Sequence, residues 1–522
     1  METDLVGGLL LPVGLWLLLS AGTPSQLHRR LAVASLFALA TATLAFVALG
    51  FAFAFGGREL SLGAGTAPER WIFAGLSGFF LDGATDVENL RTFVRFWPLI
   101  AAGAVLTAGA LAQQARTATL AVFTIVVAGL ILPIVMCWMW GGGWLSALGA
   151  NAGLGRGTVD LGHLATIGIA AGAAGIVWLR SIPRRELTLH EPELPMVHFP
   201  VRAVAGVLLI LASAPAFASM FAPDAPELPM GQFVNSSVAV SIAILTAGGY
   251  AIFTTRRPDV LSASRAAAAA VLVTSSGGAL LPMPVVAVLG VVCGLLATIG
   301  YYAVNEKWRW RDDSAIVTSV FAPAALGLLA TGLFANGAFG VAGSLSRSAG
   351  LEAGQLLAQA IGLVAIVLFA MGLSGTALGL MRHAHVPLLI PAETAYSQSP
   401  MPQPALSSVV VASAEFADAA QAMSLTYASV SESPDLSSAG QPTMEAEPIT
   451  MGEAAPAADG GRARGWLARF RRGDATPPAP KQPRKVAYPY RVGGRPLSIR
   501  PPSVGAGNTR DETSMVPRGD QD

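Results

Sequence analysis

The chain has 522 residues, of which 53% are hydrophobic and only 12% are charged. Soluble globular proteins carry about twice that charged fraction, so the composition excludes a set of soluble domains. The net charge of +1 gives no indication of a nucleic-acid partner. The two cysteines lie within apolar runs, and the sequence contains no disulfide framework, metal-ligand spacing or phosphate-binding loop. We therefore expect no cofactor and no enzymatic activity.

Apolar runs of roughly 20 residues follow one another from the N-terminus, and each is long enough to cross the ~30 Å hydrocarbon core of a bilayer. The first run follows Glu2 and Asp4 without a basic residue, which predicts a retained span rather than a signal peptide. The pattern predicts an all-α, polytopic membrane protein with eleven transmembrane helices. The predicted spans are about 5–22, 31–55, 93–115, 117–139, 158–179, 199–222, 234–255, 260–281, 284–304, 314–336 and 353–381.

The charges of the loops predict the orientation of these spans. Basic residues concentrate in the loops that follow odd-numbered spans, for example Arg29–Arg30 and Arg256–Arg257. The loop after the sixth span carries Asp224 and Glu227 but no Lys or Arg. By the positive-inside rule, the N-terminus is expected outside and the C-terminus in the cytoplasm. The long second loop, residues 56–92, is expected to cover the outer face.

The composition changes after the last apolar run, and the membrane domain is expected to comprise residues 1–386. Residues 387–522 are rich in Pro, Ala, Ser and Gly and contain no spanning run, which predicts a disordered cytoplasmic tail. Its first part, 387–461, is acidic, and residues 462–500 are basic. The basic, aromatic stretch Arg462–Gly473 is either a site for anionic lipid or a cytoplasmic partner, or a solvated linker.

A glycine-rich motif, CWMWGGGWLSALGA (Cys137–Ala150), closes the fourth span. Consecutive glycines permit close approach of backbones, and the tryptophans suit a membrane interface. The spelling WxWGGGWL, followed by GTV, resembles the ammonium transporter (Amt/Mep/Rh) family. Other stretches resemble the same family in the same order, namely LAFVALGFAFAFGG, GALAQQAR, FVNSSVAVSIAIL, Asp312–Asp313 before TGLFA, and ETAY. The resemblance covers about 1–396 and implies a five-plus-five inverted repeat and a homotrimer.

The resemblance also implies a pore lined by two facing histidines, one on span five and one on span ten. His163 is the one histidine inside a predicted span. Span ten carries Val320 or Phe321 where the second histidine is expected. The family's acid before span five would fall near residues 152–155, where no acid occurs.

The family's outer recruitment site is only partly matched. Trp140 keeps its place, but the two phenylalanines of the outer gate are replaced by Leu99 and, on span six, by about Leu211. One tryptophan without its partners supplies a fraction of the ~2 kcal/mol that a desolvated cation gains over aromatic faces.

Asp160 and His163 stand three residues apart in predicted span five, where they would share a helix face and touch. Three interpretations remain open. The pair is a self-satisfying polar contact inside the bundle, or a working remnant of the pore in which His163 accepts the substrate's proton and Asp160 tunes it, or a sensor or partner site. His163 is expected near mid-membrane, facing the interface between the repeats. Arg265, near the inner end of span eight, is expected to snorkel to the membrane surface.

Two functions remain after these observations. The first is an ammonium-transporter-like channel of the inner membrane that moves ammonia, ammonium or another small neutral solute. Trp140, His163 and the glycine motif favour it. The second is a non-conducting scaffold or sensor that acts through the tail, and the absence of the second histidine and of the gate aromatics favours it.

Overall fold

The computed structural model describes residues 2–23, 27–62, 70–112, 114–181, 199–221, 224–310, 312–345 and 354–389. The predicted tail, with its acidic and basic parts and the stretch Arg462–Gly473, lies outside the described residues, as does the motif ETAY.

Eleven apolar helices, named α1 to α11 here, dominate the described part of the chain. Nine of them are long and apolar enough to cross a membrane, and the two shorter ones stand at the first and eighth predicted spans. Each predicted span therefore corresponds to an apolar helix. The helices are α1 (Glu2–Ala21), α2 (His28–Phe55), α3 (Val87–Leu111), α4 (117–139), α5 (Leu164–Ser181), α6 (Phe199–Phe221), α7 (Glu227–Thr255), α8 (Val260–Ser275), α9 (Met283–Lys307), α10 (Val317–Phe334) and α11 (Gly354–His383).

Two connections differ from the prediction. Helix α5 begins at Leu164, so the predicted start of span five at residue 158 is wrong, and a short helix, Trp144–Ala152, lies between α4 and this point. The loop 56–92 contains a small antiparallel hairpin of β1 (Glu59–Leu62) and β2 (Trp71–Gly75), which an all-α prediction omits. Residues 158–163 are instead an irregular segment of turn and bend that precedes the helix.

The helices pack as two halves with the same internal pattern. In the first half α3 packs against α1, α2 and α5, and α2 packs against α4. In the second half α8 packs against α6, α7 and α10, and α7 packs against α9. The halves meet where α1 packs against α6 and α5 against α10. Because successive spans alternate in direction, α1 and α6 run oppositely, which gives the five-plus-five inverted repeat.

Carboxylates begin equivalent helices in the two halves. Asp86 accepts backbone hydrogen bonds at the start of α3, and Asp259 does the same at the start of α8. Asp160 caps α5, and Asp312 caps α10 through the amides of Ile316 and Val317. A carboxylate at a helix N-terminus satisfies orphan N–H groups and complements the helix dipole. The repeat therefore extends from helix order to capping chemistry.

Helices α5 and α10 are antiparallel and touch through small residues. A Cβ added to Gly168 would lie 2.9 Å from the Cβ of Ala324, and one added to Gly172 would lie 2.8 Å from the Cβ of Phe321. Such residues let helix backbones approach closely in membranes. The antiparallel pairing defines two opposite ends of the interface between the halves. The start of α5 marks the His163 end, and the start of α10 marks the Arg265 end.

Candidate functional site

The glycine motif after α4 makes a turn that larger residues could not make. A Cβ at Gly141 would lie 2.3 Å from the carbonyl oxygen of Ala54 on α2, and one at Gly143 would lie 2.4 Å from that of Cys137. Between them Gly142 has a φ of 76°, a conformation that costs glycine little. The expected close approach of backbones is found here, and it places Trp140 at the end of α4.

The segment 153–163, which leads from the short helix to α5, is anchored along α11. Gln355 accepts from the amide of Arg156 and donates to the carbonyl of Gly157. One turn later on α11, Gln359 accepts from the amide of Val159 and donates to its carbonyl. Both glutamines are buried. Buried backbone groups without such partners would be costly, so these side chains let an irregular segment run inside the bundle.

The same segment is also tied to the second half. The amides of Leu161 and Gly162 donate to the carbonyls of Ser276 and Ser275 at the end of α8, at 3.0 and 2.9 Å. At the opposite end of the interface, Ser314 donates to the carbonyl of Gly109 near the end of α3, at 2.6 Å. These hydrogen bonds occupy equivalent places in the two halves. Each joins the segment before α5 or before α10 to the other half.

Asp160 lies in this segment, and its carboxyl bonds to backbone amides rather than to the His163 ring. Its Oδ2 accepts from the amide of Thr166 at 2.7 Å, and the side chain is 1% exposed. Burial raises the pKa of its carboxyl to about 6, against the opposing hydrogen bonds from Thr166 and from the amide of His163. Both residues precede α5, so they do not share a helix face as predicted, and they touch through the His163 backbone instead. Asp160 acts as a helix cap, and no acid at residues 152–155 is needed for that purpose.

His163 stands at the last position before α5 in a strained backbone conformation. Its φ is 61°, a region that few non-glycine residues adopt and that recurs at functional sites. The imidazole is stacked on Trp140 with ring centroids 4.3 Å apart and meets the edge of Phe96 at 5.9 Å. Phe55 packs on Phe96 at 4.7 Å. An aromatic cluster thus surrounds a histidine at the end of the interface rather than at its middle.

The hydrogen bonds of His163 define its chemistry. Nδ1 lies 3.1 Å from the carbonyl oxygen of Leu161, so the proton of the neutral ring sits on Nδ1. Nε2 is left as an acceptor without a partner among the described residues. Burial lowers the pKa of the ring to about 4, more than the hydrogen bond to Leu161 raises it. The neutral imidazole can therefore accept a hydrogen bond from an N–H group.

The other predicted site residues are not part of this cluster. Leu99 is fully buried on α3, one turn from Phe96, and Leu211 is half-buried on α6. Phe321 packs against Gly172 on α5, roughly 12 Å along the helix from its start. The facing positions at mid-helix are Gly168, Gly172, Val320, Phe321 and Ala324, which are all apolar.

Sequence reasoning missed three aromatic residues. Phe55 and Phe96 build the cluster, and Phe217 on α6 lies 3.6 Å from the place of a Cβ at Gly8, which also adjoins Pro98 of α3. Phe96 lies in the stretch RFWPL, one helical turn before Leu99, where a gate phenylalanine was expected. To predict Phe96 as a site residue, one would need to know how α3 is rotated about its axis. Pro98 and the packing of α3 determine that rotation.

Arg265 also departs from the prediction. Its side chain is 5% exposed, so it does not extend to the surface but lies inside the bundle at the Arg265 end. Asp312, also buried, caps α10 nearby, and burial raises the pKa of its carboxyl to about 6. Within the described ranges, no group of three His, Cys, Asp or Glu residues could hold a metal ion.

These features define a polytopic membrane protein of the transporter class. They are the two inverted halves, the anchored segment between α4 and α5, and the aromatic cluster at one end of an apolar interface. The sequence model of the Ammonium Transporter Family matches residues 9–403, and the chain belongs to this family. That family comprises transporters rather than enzymes.

Several named proteins are similar to this chain. It is 28% identical over 319 residues to ammonium transporter Amt2 of Archaeoglobus fulgidus, which covers 59% of this chain and 64% of the relative. It is 25% identical over 321 residues to the ammonium transporter of Bacillus subtilis, which covers 60% of this chain and 74% of the relative. The match therefore spans less than two thirds of the length of the Archaeoglobus protein.

Solved structures share the fold. A structure described as Sensor Amt Protein superposes with a TM-score of 0.61 at 17% identity, over 75% of this chain and 94% of that chain. Mep2 of Saccharomyces cerevisiae superposes with a TM-score of 0.61 at 18% identity, over 77% of this chain and 92% of that chain. At these identities the likeness establishes the fold alone.

Proposed function

We propose that the chain is an ammonium-transporter-like channel that moves ammonia, ammonium or another small neutral solute across a membrane. The observation that carries this proposal is the stack of His163 on Trp140, at one end of an apolar interface between inverted halves. Membership of the Ammonium Transporter Family supports the same substrate class. Substrate sites at the interface of inverted repeats are typical of transporters.

In this proposal the solute enters at the His163 end. An ammonium or ammonia N–H donates to Nε2 of His163, beside the faces of Trp140 and Phe96. The neutral form then passes the contact of α5 with α10, where Phe321 adjoins Gly172. Apolar constrictions of this kind favour neutral molecules because ions lose hydration that the wall does not replace. Asp160 contributes by fixing the start of α5, while Leu99 and Leu211 contribute packing.

Uptake by reconstituted protein tests this function. Purified full-length chain in proteoliposomes should accumulate radiolabelled methylammonium faster than empty liposomes, and ammonium chloride should compete. Trp140→Ala should lower the rate, whereas Thr376→Ala, an exposed change on α11, should not. Uptake no faster than in empty liposomes would refute the channel and leave the scaffold.

The alternative is a non-conducting scaffold or sensor that acts through the tail. One solved neighbour is described as a sensor, but the relatives matched by sequence are named transporters. The apolar α5–α10 contact without a second histidine is the feature that favours this alternative. Deletion of residues 400–522 separates the two functions. A channel should still take up substrate without the tail, whereas a scaffold that acts through the tail should show no uptake with or without it.

We also propose an inner-membrane homotrimer with the N-terminus outside, the His163 end outward and the tail in the cytoplasm. The basic loops after odd-numbered spans support this orientation, and the family resemblance supports the trimer. Each chain would hold its own pathway. Light scattering in mild detergent should give three copies, and impermeant reagents should reach a cysteine placed at Asp82 in intact cells. A monomeric mass would contradict the assembly.

The tail is proposed to be disordered, with acidic residues 387–461 and basic residues 462–500 attracting each other weakly. The stretch Arg462–Gly473 is proposed to bind anionic lipid or a cytoplasmic partner. Limited proteolysis should remove residues beyond about 400 without leaving a resistant fragment, in agreement with the low apolar content. A protease-resistant piece within 400–522 would contradict this part of the proposal.

A further inference from the structure

Arg265 is held between several elements at the Arg265 end of the interface. Its Cζ lies 4.7 Å from the centroid of the Tyr301 ring on α9, which is the geometry of a cation–π contact. Its Nη2 donates to the carbonyl of Asp313, in the segment before α10. A buried arginine is costly in a membrane and is a functional candidate by default.

The same guanidinium reaches the other half of the molecule. A Cβ added to Gly22, directly after α1, would lie 2.7 Å from Nη2 of Arg265. A glycine at this position therefore leaves room for the guanidinium. Because α1 belongs to the first half and α8 to the second, the side chain of Arg265 reaches across the interface at this end.

The repeat relates Arg265 to the aromatic cluster at the opposite end. Gly109 on α3 and Ser275 on α8 each accept a hydrogen bond from the other half. Arg265 precedes Ser275 by as many residues as Leu99 precedes Gly109. Leu99 lies one turn from Phe96, which contacts His163. Counted from these two hydrogen-bonded residues, Arg265 on α8 thus takes the position that Leu99 takes on α3.

We infer that Arg265 is a specificity-determining residue at the inner end of the pathway, which admits neutral amines and holds back cations. The inference rests on the proposed channel function. Among the described side chains, the buried His, Asp, Glu, Lys and Arg residues are Asp160, His163, Arg265 and Asp312. They lie at the two ends, and the mid-helix contact of α5 with α10 carries none of them.

The physical reason is the fixed charge of the guanidinium. The carboxyls of Asp312 and Asp313 lie near the guanidinium, but that of Asp312 is bound by the amides of Ile316 and Val317. Arginine remains protonated in proteins, so a cation leaving the apolar interface would approach a positive charge in a poorly polarisable environment. An arginine at a constriction excludes cations in other pores for this reason. A neutral amine carries no charge, so the arginine side chain restricts it only sterically. The proton of an entering ammonium ion then transfers to Nε2 of His163 and returns to the outer water.

The test separates the effect of the charge of residue 265 from the effect of its side-chain length. Arg265→Met keeps a long side chain without the charge, and Arg265→Lys keeps the charge. Wild type and both variants, as full-length proteins, are reconstituted for two measurements after an ammonium chloride pulse. A lumenal dye reports the alkalinisation caused by neutral ammonia, and a solid-supported membrane records the current carried by ammonium. Gly22→Ala displaces the guanidinium while keeping Arg265. Size-exclusion profiles and thermal unfolding check the fold of each variant.

We expect wild type and Arg265→Lys to alkalinise the lumen with no current above empty liposomes. Arg265→Met should carry at least about tenfold more current than wild type, and Gly22→Ala an intermediate one. Alkalinisation by wild type together with a current that Arg265→Met does not raise would overturn the inference and leave the channel function intact. Activity of Arg265→Met alone would also overturn the inference, because Arg265 would then block neutral amines as well as cations. Inactivity of every protein would refute both the inference and the proposed function.

Discussion

The imidazole of His163 lies on the indole of Trp140 with the ring centroids 4.3 Å apart and the planes inclined by 26°. The imidazole covers a face of the indole that could otherwise hold a cation directly. The bond from Nδ1 to Leu161 turns Nε2 into the acceptor of this cluster. The His163 end therefore presents a hydrogen-bond acceptor beside aromatic walls, which suits a solute that carries N–H groups.

Replacement of His163 tests the role of this acceptor. We expect His163→Leu to lower methylammonium uptake by about tenfold, the effect of losing one hydrogen bond of ~1.4 kcal/mol. His163→Asn should retain part of the activity, because asparagine tolerates a positive φ and carries an acceptor oxygen. His163→Gly controls for the backbone, since it keeps the conformation and removes the ring. Equal uptake by wild type and His163→Leu would show that Nε2 does not contact the solute.

The buried imidazole also predicts a pH dependence of stability. Its pKa is lowered from 6.5 to about 4 in the folded chain. The unfolded chain therefore binds more protons between these values, and stability falls as pH falls through 6.5. Between pH 7 and 5 the loss is expected to reach at most about 2 kcal/mol. His163→Asn should lack this loss, while Asp160 and Asp312 remain in both proteins and cancel.

Thermal unfolding in detergent at pH 7 and pH 5 measures the difference. The melting temperature of wild type should fall relative to that of His163→Asn at the lower pH. A constant difference between the two proteins would mean that the ring is not buried in its neutral form.

The two glutamines of α11 predict that a substitution on this helix disturbs the segment before α5. Gln359→Ala removes both bonds to Val159 and leaves its buried amide without a partner, while the carbonyl keeps the hydroxyl of Ser276 at 3.3 Å. We expect a loss of about 1–3 kcal/mol in unfolding free energy, together with reduced uptake as the segment before α5 loosens. Thr376→Ala, on the exposed part of the same helix, is the matched control. Unchanged stability of Gln359→Ala would exclude an anchoring role.

Close contact of α5 with α10 predicts strong coupling between Gly168 and Ala324. Gly168→Ala places two Cβ atoms 2.9 Å apart and should cost about 1–3 kcal/mol by overpacking. Ala324→Gly removes the opposing methyl, so the double variant should recover part of the loss, while Leu272 Cδ2 remains 2.8 Å from the added Cβ. Melting temperatures of the two single variants and the double variant form a double-mutant cycle. Additive effects would indicate that the two helices do not touch at this point.

Hydropathy and charge predicted the number of helices and their order, because the length of each apolar run must match the bilayer whatever it packs against. The close approach at the glycine motif was predictable for a similar local reason, since Gly141, Gly142 and Gly143 are the only residue type that fits that turn. The resemblance predicted the inverted repeat, and it singled out Trp140, whose role as a site residue stays a prediction.

The tertiary structure alone decided what the polar residues do. Residues 158–163 adjoin the apolar run of α5, and partners supplied by Gln355, Gln359 and the end of α8 let them run as an irregular, non-helical segment. That path takes both Asp160 and His163 out of the helix and brings the His163 ring onto Trp140. Arg265 is buried rather than extended to the surface because Gly22, distant in sequence, leaves space for its guanidinium. Such pairings depend on which helices meet and at what rotation, which no local pattern encodes.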